Sequence, residues 1–257
     1  MPFQKVTTAK LSTSVVRQIE LLILRGVLTP GDRLPSERDL AERLGVSRPS
    51  LRDALGELQE RGLLAAKAGS GVYVADVLGS AFSPALVDLF ARHDEAVFDY
   101  LSFRRDLEGL AAERAARMGS DEDLKIIQSI YDRMAAAQGP DDSEEAANLD
   151  AQFHAAIMDA GHNVVMLHMM RSMLELLHKG VFYNRRIMFQ RATTRENLLA
   201  QHSAINSAIQ DRNPAAARAA VEAHLDFVKT CLLEDLETQK NAEIARQKLE
   251  KAQKLGS

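Results

Sequence analysis

Apolar positions along the first third of the chain recur at two different periods. Val15, Val16, Ile19, Leu22 and Ile23 follow helical spacing, and Gly26 ends that stretch. Thr29-Pro30-Gly31-Asp32 carries turn chemistry. Ser36 is placed to cap a short second helix, with Asp39 at its N3 position as a capping-box partner and Leu40 and Leu44 on its inner face. Gly45 suits a left-handed C-terminal cap. Ser47 then caps a third helix reaching about Arg61, with Leu51, Ala54, Leu55 and Leu58 as its apolar stripe and Gly62 as its stop. Leu63–Lys67 and Val72–Ala75 read as two short strands, joined at a hairpin tip by Ala68-Gly69-Ser70-Gly71.

Beyond about residue 80 strand signals vanish. Helical patterns run over roughly 80–92, 95–118, 121–138, 142–160, 163–190, 195–210 and 214–250, punctuated by Ser83-Pro84, Gly119-Ser120-Asp121, Gly139-Pro140, Gly161-His162-Asn163 and Asn213-Pro214. The expected fold is therefore mainly α: an N-terminal α+β winged helix-turn-helix over 1–76, a linker and first linking helix over 77–94, an all-helical bundle over 95–235, and a charged helical tail over 236–257 that frays.

Composition narrows the class. Of 257 residues, 46% are hydrophobic and 26% charged, enough for two modest cores in a water-facing protein. No run of about 18 apolar residues suggests a membrane span, and the N-terminus lacks an apolar signal segment. The single cysteine, Cys231, has no internal disulfide partner and reads as a buried inert thiol. These features place the protein in the cytoplasm. A net charge of −4 does not by itself announce nucleic-acid binding, although residues 1–76 carry +2 and the remainder −6. DNA binding has to be argued from where the arginines lie.

They lie at the start of the third helix. Ser47, Arg48, Ser50 and Arg52 are read as outward positions of its first turn, with Arg48 and Arg52 sharing a face at i,i+4. Val46 is expected to be buried where the second and third helices meet. An arginine there can grip guanine bidentately or clamp phosphate. Serine hydroxyls at a positive helix N-terminus can donate to phosphate. Arg38 on the bracing helix is placed for the backbone or an adjacent base, and Lys67, Gly69 and Ser70 at the hairpin tip for the minor groove.

The run Leu34 to Leu55, together with Gly62-Leu63-Leu64 and Gly69-Ser70-Gly71-Val72-Tyr73-Val74, resembles the winged-helix signature of the GntR family of transcription regulators. The resemblance implies operator contacts by Arg38, Arg48, Arg52 and the wing Gly69. Pro49 departs from the threonine frequent in that family, but a proline at N2 of a helix forfeits no intrahelical bond.

The bundle carries a second constellation. Asp150 and His154 are four residues apart and share one helix face, while His202 and His224 fall on two later helices. Spacing alone leaves two readings open: separate surface or hydrogen-bonded core histidines, or one metal site with open positions. Arg104, four residues before Glu108, likewise fits either a surface ion pair worth about 0.3–0.5 kcal/mol or an inward arginine gripping a carboxylate. The segments Phe103–Glu108, Asp150–His154, Ala160–Asn163 and the contexts of His202 and His224 resemble the FCD ligand-binding domain of the FadR subfamily. That resemblance implies a divalent metal (zinc foremost, nickel or manganese as alternatives) on Asp150, His154, His202 and His224. It also implies an effector held by Arg104 and Asn163, with His162 and Asn163 capping the next helix. The stretch His162–Arg171 is similar to regulators of pyruvate, lactate and glycolate metabolism, which points to a small 2-keto or 2-hydroxy acid.

The function expected is that of a homodimeric regulator, acting as a repressor, that binds double-stranded operator DNA and responds to a small carboxylate. Two alternatives stand beside it: an architectural DNA-binding protein with a structural metal, and a metalloenzyme. The second lacks a general base near the motif.

Overall fold

The fold is described from a computed structural model, which describes residues 8–67, 70–76, 83–137, 139, 143–178 and 192–255. The chain divides into two compact units between Ala81 and Phe82.

The first unit runs α1 (Thr8–Leu24), α2 (Glu37–Leu44), α3 (Arg48–Glu60), β1 (Leu64–Lys67) and β2 (Gly71–Val74). Its core gathers Val15, Val16, Ile19 and Ile23 of α1 against Leu51, Ala54, Leu55 and Leu58 of α3, closed by Leu34, Ala41, Leu64 and Val74. Leu40, Leu44 and Val46 are only partly buried, and Ala41 is the residue α2 buries fully. Gly45 takes the left-handed conformation, φ 64°, that turns α2 into α3, and its N–H returns to the carbonyls of Ala41 and Glu42. Ser36 and Ser47 cap α2 and α3 by accepting from the backbone N–H of Asp39 and Ser50. The Asp39 carboxyl is held below its ordinary value, first by a hydrogen bond with the Ser36 side chain and then by Arg38, whose Nε lies 3.5 Å away.

β1 and β2 pair antiparallel, Leu64 with Val74 through Lys67 with Gly71. Residues 31–34 lie along the free edge of β2: Leu34 donates to the Val72 carbonyl, Val74 to that of Asp32, and Gly31 to that of Val74. Gly71 sits at φ 112°, a conformation only glycine adopts freely, and a Cβ there would press on Arg33 Nε at 3.2 Å.

The second unit is helical throughout its described residues: α4 (Pro84–Arg92), α5 (Asp94–Met118), α6 (Asp121–Ala136), α7 (Ser143–Ala160), α8 (Val164–His178), α9 (Ala192–Gln210) and α10 (Pro214–Leu255). α4 packs Val87 and Phe90 onto this unit's core. α5 lies against α7 and α10, and α9 against α5, α6 and α10, so α5, α7, α9 and α10 face one another around one interior. That interior holds Leu101, Leu149, Phe153, Ile157, Ile205, Val221 and Leu225. Asn213 caps α10 through the N–H of Ala216, with Pro214 in the first turn where its missing N–H costs nothing. α10 remains helical to Leu255, past the point where the charge pattern predicts fraying. Cys231 is half-buried on the same helix. The helical pattern over 163–190 is realised as α8; residues 179–191 lie outside the described set. Within the described residues no helix is long and apolar enough to cross a membrane.

The complete capping box of the fold is at α6. Ser120 Oγ accepts from Asp123 N at 3.1 Å, and Asp123 Oδ2 accepts from Ser120 N at 2.8 Å. Burial works to raise the Asp123 carboxyl, but the two Ser120 hydrogen bonds and the His162 ring, Nε2 at 2.9 Å, hold it below its ordinary value. Ser120→Ala is expected to destabilise the bundle by about 1 kcal/mol in urea unfolding at pH 7. Because the folded-state value is depressed, Asp123 contributes fully above its unfolded value of about 3.9 and loses the contribution as pH falls through the folded one. The stability gap between wild type and Asp123→Asn should therefore close in acid, and a gap that widens on acidification would contradict this.

Candidate metal centre and nucleic-acid interface

The interior of the bundle is not uniformly apolar. Arg104, Glu108, Asp150, His154, His202 and His224 are all nearly inaccessible to solvent. α7 supplies Asp150 and His154 one turn apart on its inner face, α9 supplies His202, and α10 supplies His224. One donor atom from each of these four lies within 4.8 Å of the other three. His202 Nε2 is 3.0 Å and His154 Nε2 3.6 Å from Asp150 Oδ1. The imidazoles of His154 and His224 stack with centroids 5.2 Å apart, and those of His202 and His224 are 4.6 Å apart. Phe153 meets the rings of His154 and His202 edge-on and seals that side.

The donor set fits a divalent cation. Nitrogen and oxygen ligands sit about 2.0–2.2 Å from such an ion, so two of them span at most about 4.4 Å. Closing this cluster onto one ion therefore asks for less than about 1 Å of movement. His154 Nε2 is buried and makes no hydrogen bond, which an ion would remedy. His224 Nδ1 lies 3.0 Å from Gln201 Oε1. If Nδ1 carries the proton and donates it, Nε2 keeps its lone pair for the cluster. Burial, with His202 and His154 close by, pushes the His224 imidazole well below its ordinary value, so it is neutral at pH 7 and fit to bind a cation.

Arg104 is an inward arginine, 1% exposed, and not a member of a surface pair. Its Nε donates to Glu108 Oε1 at 2.5 Å, and its guanidinium lies 5.8 Å from the centre of the Tyr100 ring. Burial alone would raise the Glu108 carboxyl, but the charges of Arg104 and His154 hold it far below the usual carboxylate range. Glu108 and Gln201 were not legible as site residues. The sole hint is adjacency, Glu108 one turn after Arg104 and Gln201 beside His202.

Asn163 takes the capping role expected of it. Its Oδ1 accepts from the N–H groups of Val165 and Met166, both at 3.1 Å, which makes it the N-cap of α8. It also lies beyond the end of α7, whose last six residues alone place it about 9 Å along the axis from His154. His162 is exposed at φ 47° and pairs with Asp123 instead of capping α8.

In the first unit, Arg38, Ser47, Arg48 and Arg52 are exposed at the start of α2 and α3. Ser50 is not: it is 1% exposed, turned under the helix so that its Oγ lies 2.9 Å from that of Ser47. The position adjoins the buried Leu51 on the inner side of the first turn, so Ser50 is withdrawn as a DNA contact. Glu37 enters in its place. Its Oε2 accepts from Arg52 Nε at 2.7 Å and lies 3.9 Å from Arg48 Nη2. At the wing, Lys67 is exposed with Nζ 4.7 Å from the centre of the Tyr73 ring, and Ser70 Oγ lies 2.5 Å from the Tyr73 hydroxyl. Tyr73 thereby anchors both flanks of the tip. Gly69 lies outside the described residues.

Comparison with known proteins supplies the frame for both sites. The family "Bacterial regulatory proteins, gntR family" matches residues 11–74, and the FCD domain matches residues 99–227. The chain is 35% identical over 218 residues to the Glc operon transcriptional activator of Escherichia coli (strain K12), covering 84% of this chain and 86% of that one. It is 33% identical over 231 residues, 88% of each chain, to a protein assigned as an L-lactate dehydrogenase operon regulator in the same organism. A solved structure of Streptococcus agalactiae GntR shares the fold at a TM-score of 0.52 and 23% identity, covering 87% of this chain and all of that one. The relatives are regulators and not enzymes, which answers the metalloenzyme alternative. With one matched segment lying over the winged helix-turn-helix and the other over the histidine-lined bundle, the chain belongs to the GntR family of DNA-binding transcription regulators and carries an FCD domain.

Proposed function

We propose that this protein is a homodimeric, cytoplasmic regulator in which a metal held by Asp150, His154, His202 and His224 forms the floor of a receptor for a small 2-hydroxy or 2-keto acid. The observation that carries this reading is the convergence of one carboxylate and three imidazoles from three helices inside a dry interior. Three neutral imidazoles and one carboxylate on a divalent ion leave a net positive charge and open coordination positions. Zinc is the preferred ion, with nickel and manganese compatible with the same donors. When bound, it supplies a Lewis-acidic centre to which a carboxylate and an adjacent oxygen can both reach. Arg104 adds a second positive group close to the cluster and orients the acid through bidentate hydrogen bonds. The relative assigned to an L-lactate dehydrogenase operon supports acids of this class.

On DNA, Arg48 and Arg52 read or clamp the major groove from the N-terminus of α3, Arg38 and Ser47 hold the backbone, and Lys67, Gly69 and Ser70 enter the adjacent minor groove. The effector shifts DNA affinity only by its differential affinity for the two arrangements of the protein. Repression released by the acid is the reading adopted. The relative that is a transcriptional activator makes a promoter fusion, with and without the acid, the deciding measurement.

Four outcomes check this function. Calorimetric titration with pyruvate, L-lactate and glycolate should show saturable binding of at least one acid that is lost after chelation; binding indifferent to chelator removes the metal from the receptor. If none of the acids alters operator retention in a gel shift, the architectural alternative is favoured. His202→Ala should lower metal content by elemental analysis while circular dichroism stays helical, and unchanged stoichiometry contradicts the ligand assignment. Arg48→Ala should cost about 1–3 kcal/mol of operator affinity and relax the sequence requirement at one base position. Equal weakening on unrelated DNA makes Arg48 a phosphate clamp.

A further inference from the structure

Glu108 stands between the two parts of this receptor. Its Oε1 accepts from Arg104 Nε at 2.5 Å, and its Oε2 lies 2.6 Å from His154 Nδ1. All three side chains are 3% exposed or less, and Oε2 makes no hydrogen bond in this structure, its approach to the His154 ring being an ion-pair contact. The other nitrogen of the same ring, His154 Nε2, is the one turned to Asp150 and the cluster. His224 has the parallel arrangement, but its outer partner is the neutral amide oxygen of Gln201. The cluster thus holds one imidazole against a full charge and one against a dipole.

We propose that Glu108 is a positioning residue that couples the effector arginine to the metal cluster. It holds the proton of His154 on Nδ1, which leaves Nε2 as the ligand atom, and Arg104 sets how much of the carboxylate's charge reaches the ring. This deepens the metal-receptor reading and rests on it. A carboxylate behind a ligating imidazole fixes its tautomer and raises its basicity. An arginine on the other oxygen of that carboxylate withdraws part of the effect. An acid that engages Arg104 returns charge to Glu108 and strengthens His154 as a ligand. By linkage the metal then tightens the hold on the acid by the same factor.

The test uses the full chain and cobalt(II) alone as the probe, its affinity read from visible absorption in competition with a chelator. Glu108→Gln is expected to weaken cobalt binding about 10–100-fold, because the amide meets two donors with a single acceptor oxygen. Arg104→Gln is expected to change cobalt affinity in the wild-type background and to have little effect in the Glu108→Gln background. Such non-additivity marks action through Glu108. Cobalt affinity unchanged in a folded Glu108→Gln protein, or effects that simply add, overturns the proposal while leaving the metal site standing. Wild-type protein that takes up no cobalt overturns both. A measurement that needs no variant guards against misfolding: in the zinc-loaded wild-type chain, nitrogen-15 spectra of the histidines should show His154 protonated at Nδ1 and metal-shifted at Nε2, and the reverse assignment overturns the proposal.

Discussion

Burying charge is what the helical bundle has to solve before anything else. Arg104, Glu108 and Asp150 lie in its interior with three histidines, and an isolated ion there would cost several kcal/mol after relaxation. The cost is met by pairing across helices: Arg104 and Glu108 within α5, Glu108 to His154 between α5 and α7, and Asp150 to His202 between α7 and α9. Burial alone would lower the His154 imidazole, but the nearby Glu108 and Asp150 carboxylates hold it raised. His224, with fewer negative neighbours, stays neutral. The same packing that makes a dry core thus makes two imidazoles of opposite character a few ångströms apart.

This explains why the bundle helices look weakly amphipathic in sequence. α5 and α7 each present charged or imidazole side chains on the face turned to the interior, among Leu101, Ala111, Leu149 and Phe153. A polar stripe buried by design blurs the hydrophobic period without moving the helix. The starts of α6 and α10 were nevertheless well placed, because the caps Ser120 and Asn213, with Gly119 before one and Pro214 after the other, are local signals.

The same distinction between local and distant determinants governs what the sequence disclosed about each site. The winged unit was legible almost throughout, since Ser36, Gly45, Ser47 and the Leu51–Leu58 stripe act within a few residues of themselves. Ser50 was misjudged because one helical position, about 100° of rotation, separates an exposed hydroxyl from one tucked against Ser47. In the bundle, Asp150 and His154 were joined by i,i+4 spacing, whereas His202 and His224 come from α9 and α10 and needed family resemblance to join them. The cap at Asn163 was legible because it acts within three residues of itself. Glu108 and Gln201 reach His154 and His224 only once the helices have met, so the linear order marks them by no more than their nearness to Arg104 and His202.

Glu37 offers one further lesson about how a DNA reader spends its charge. Its carboxylate is seated between Arg52 and Arg48, so on the proposed DNA reading the pair would approach the duplex already partly neutralised. Fewer counterions are then released on contact with arbitrary phosphates, so the grip on random sequence is weak and sensitive to salt only to the extent of the remaining charge. Where the right bases are present, arginines held in a fixed pose can form their paired hydrogen bonds without first being ordered. On the proposed DNA reading, Glu37 would thus lower the grip on arbitrary sequence more than the grip on an operator.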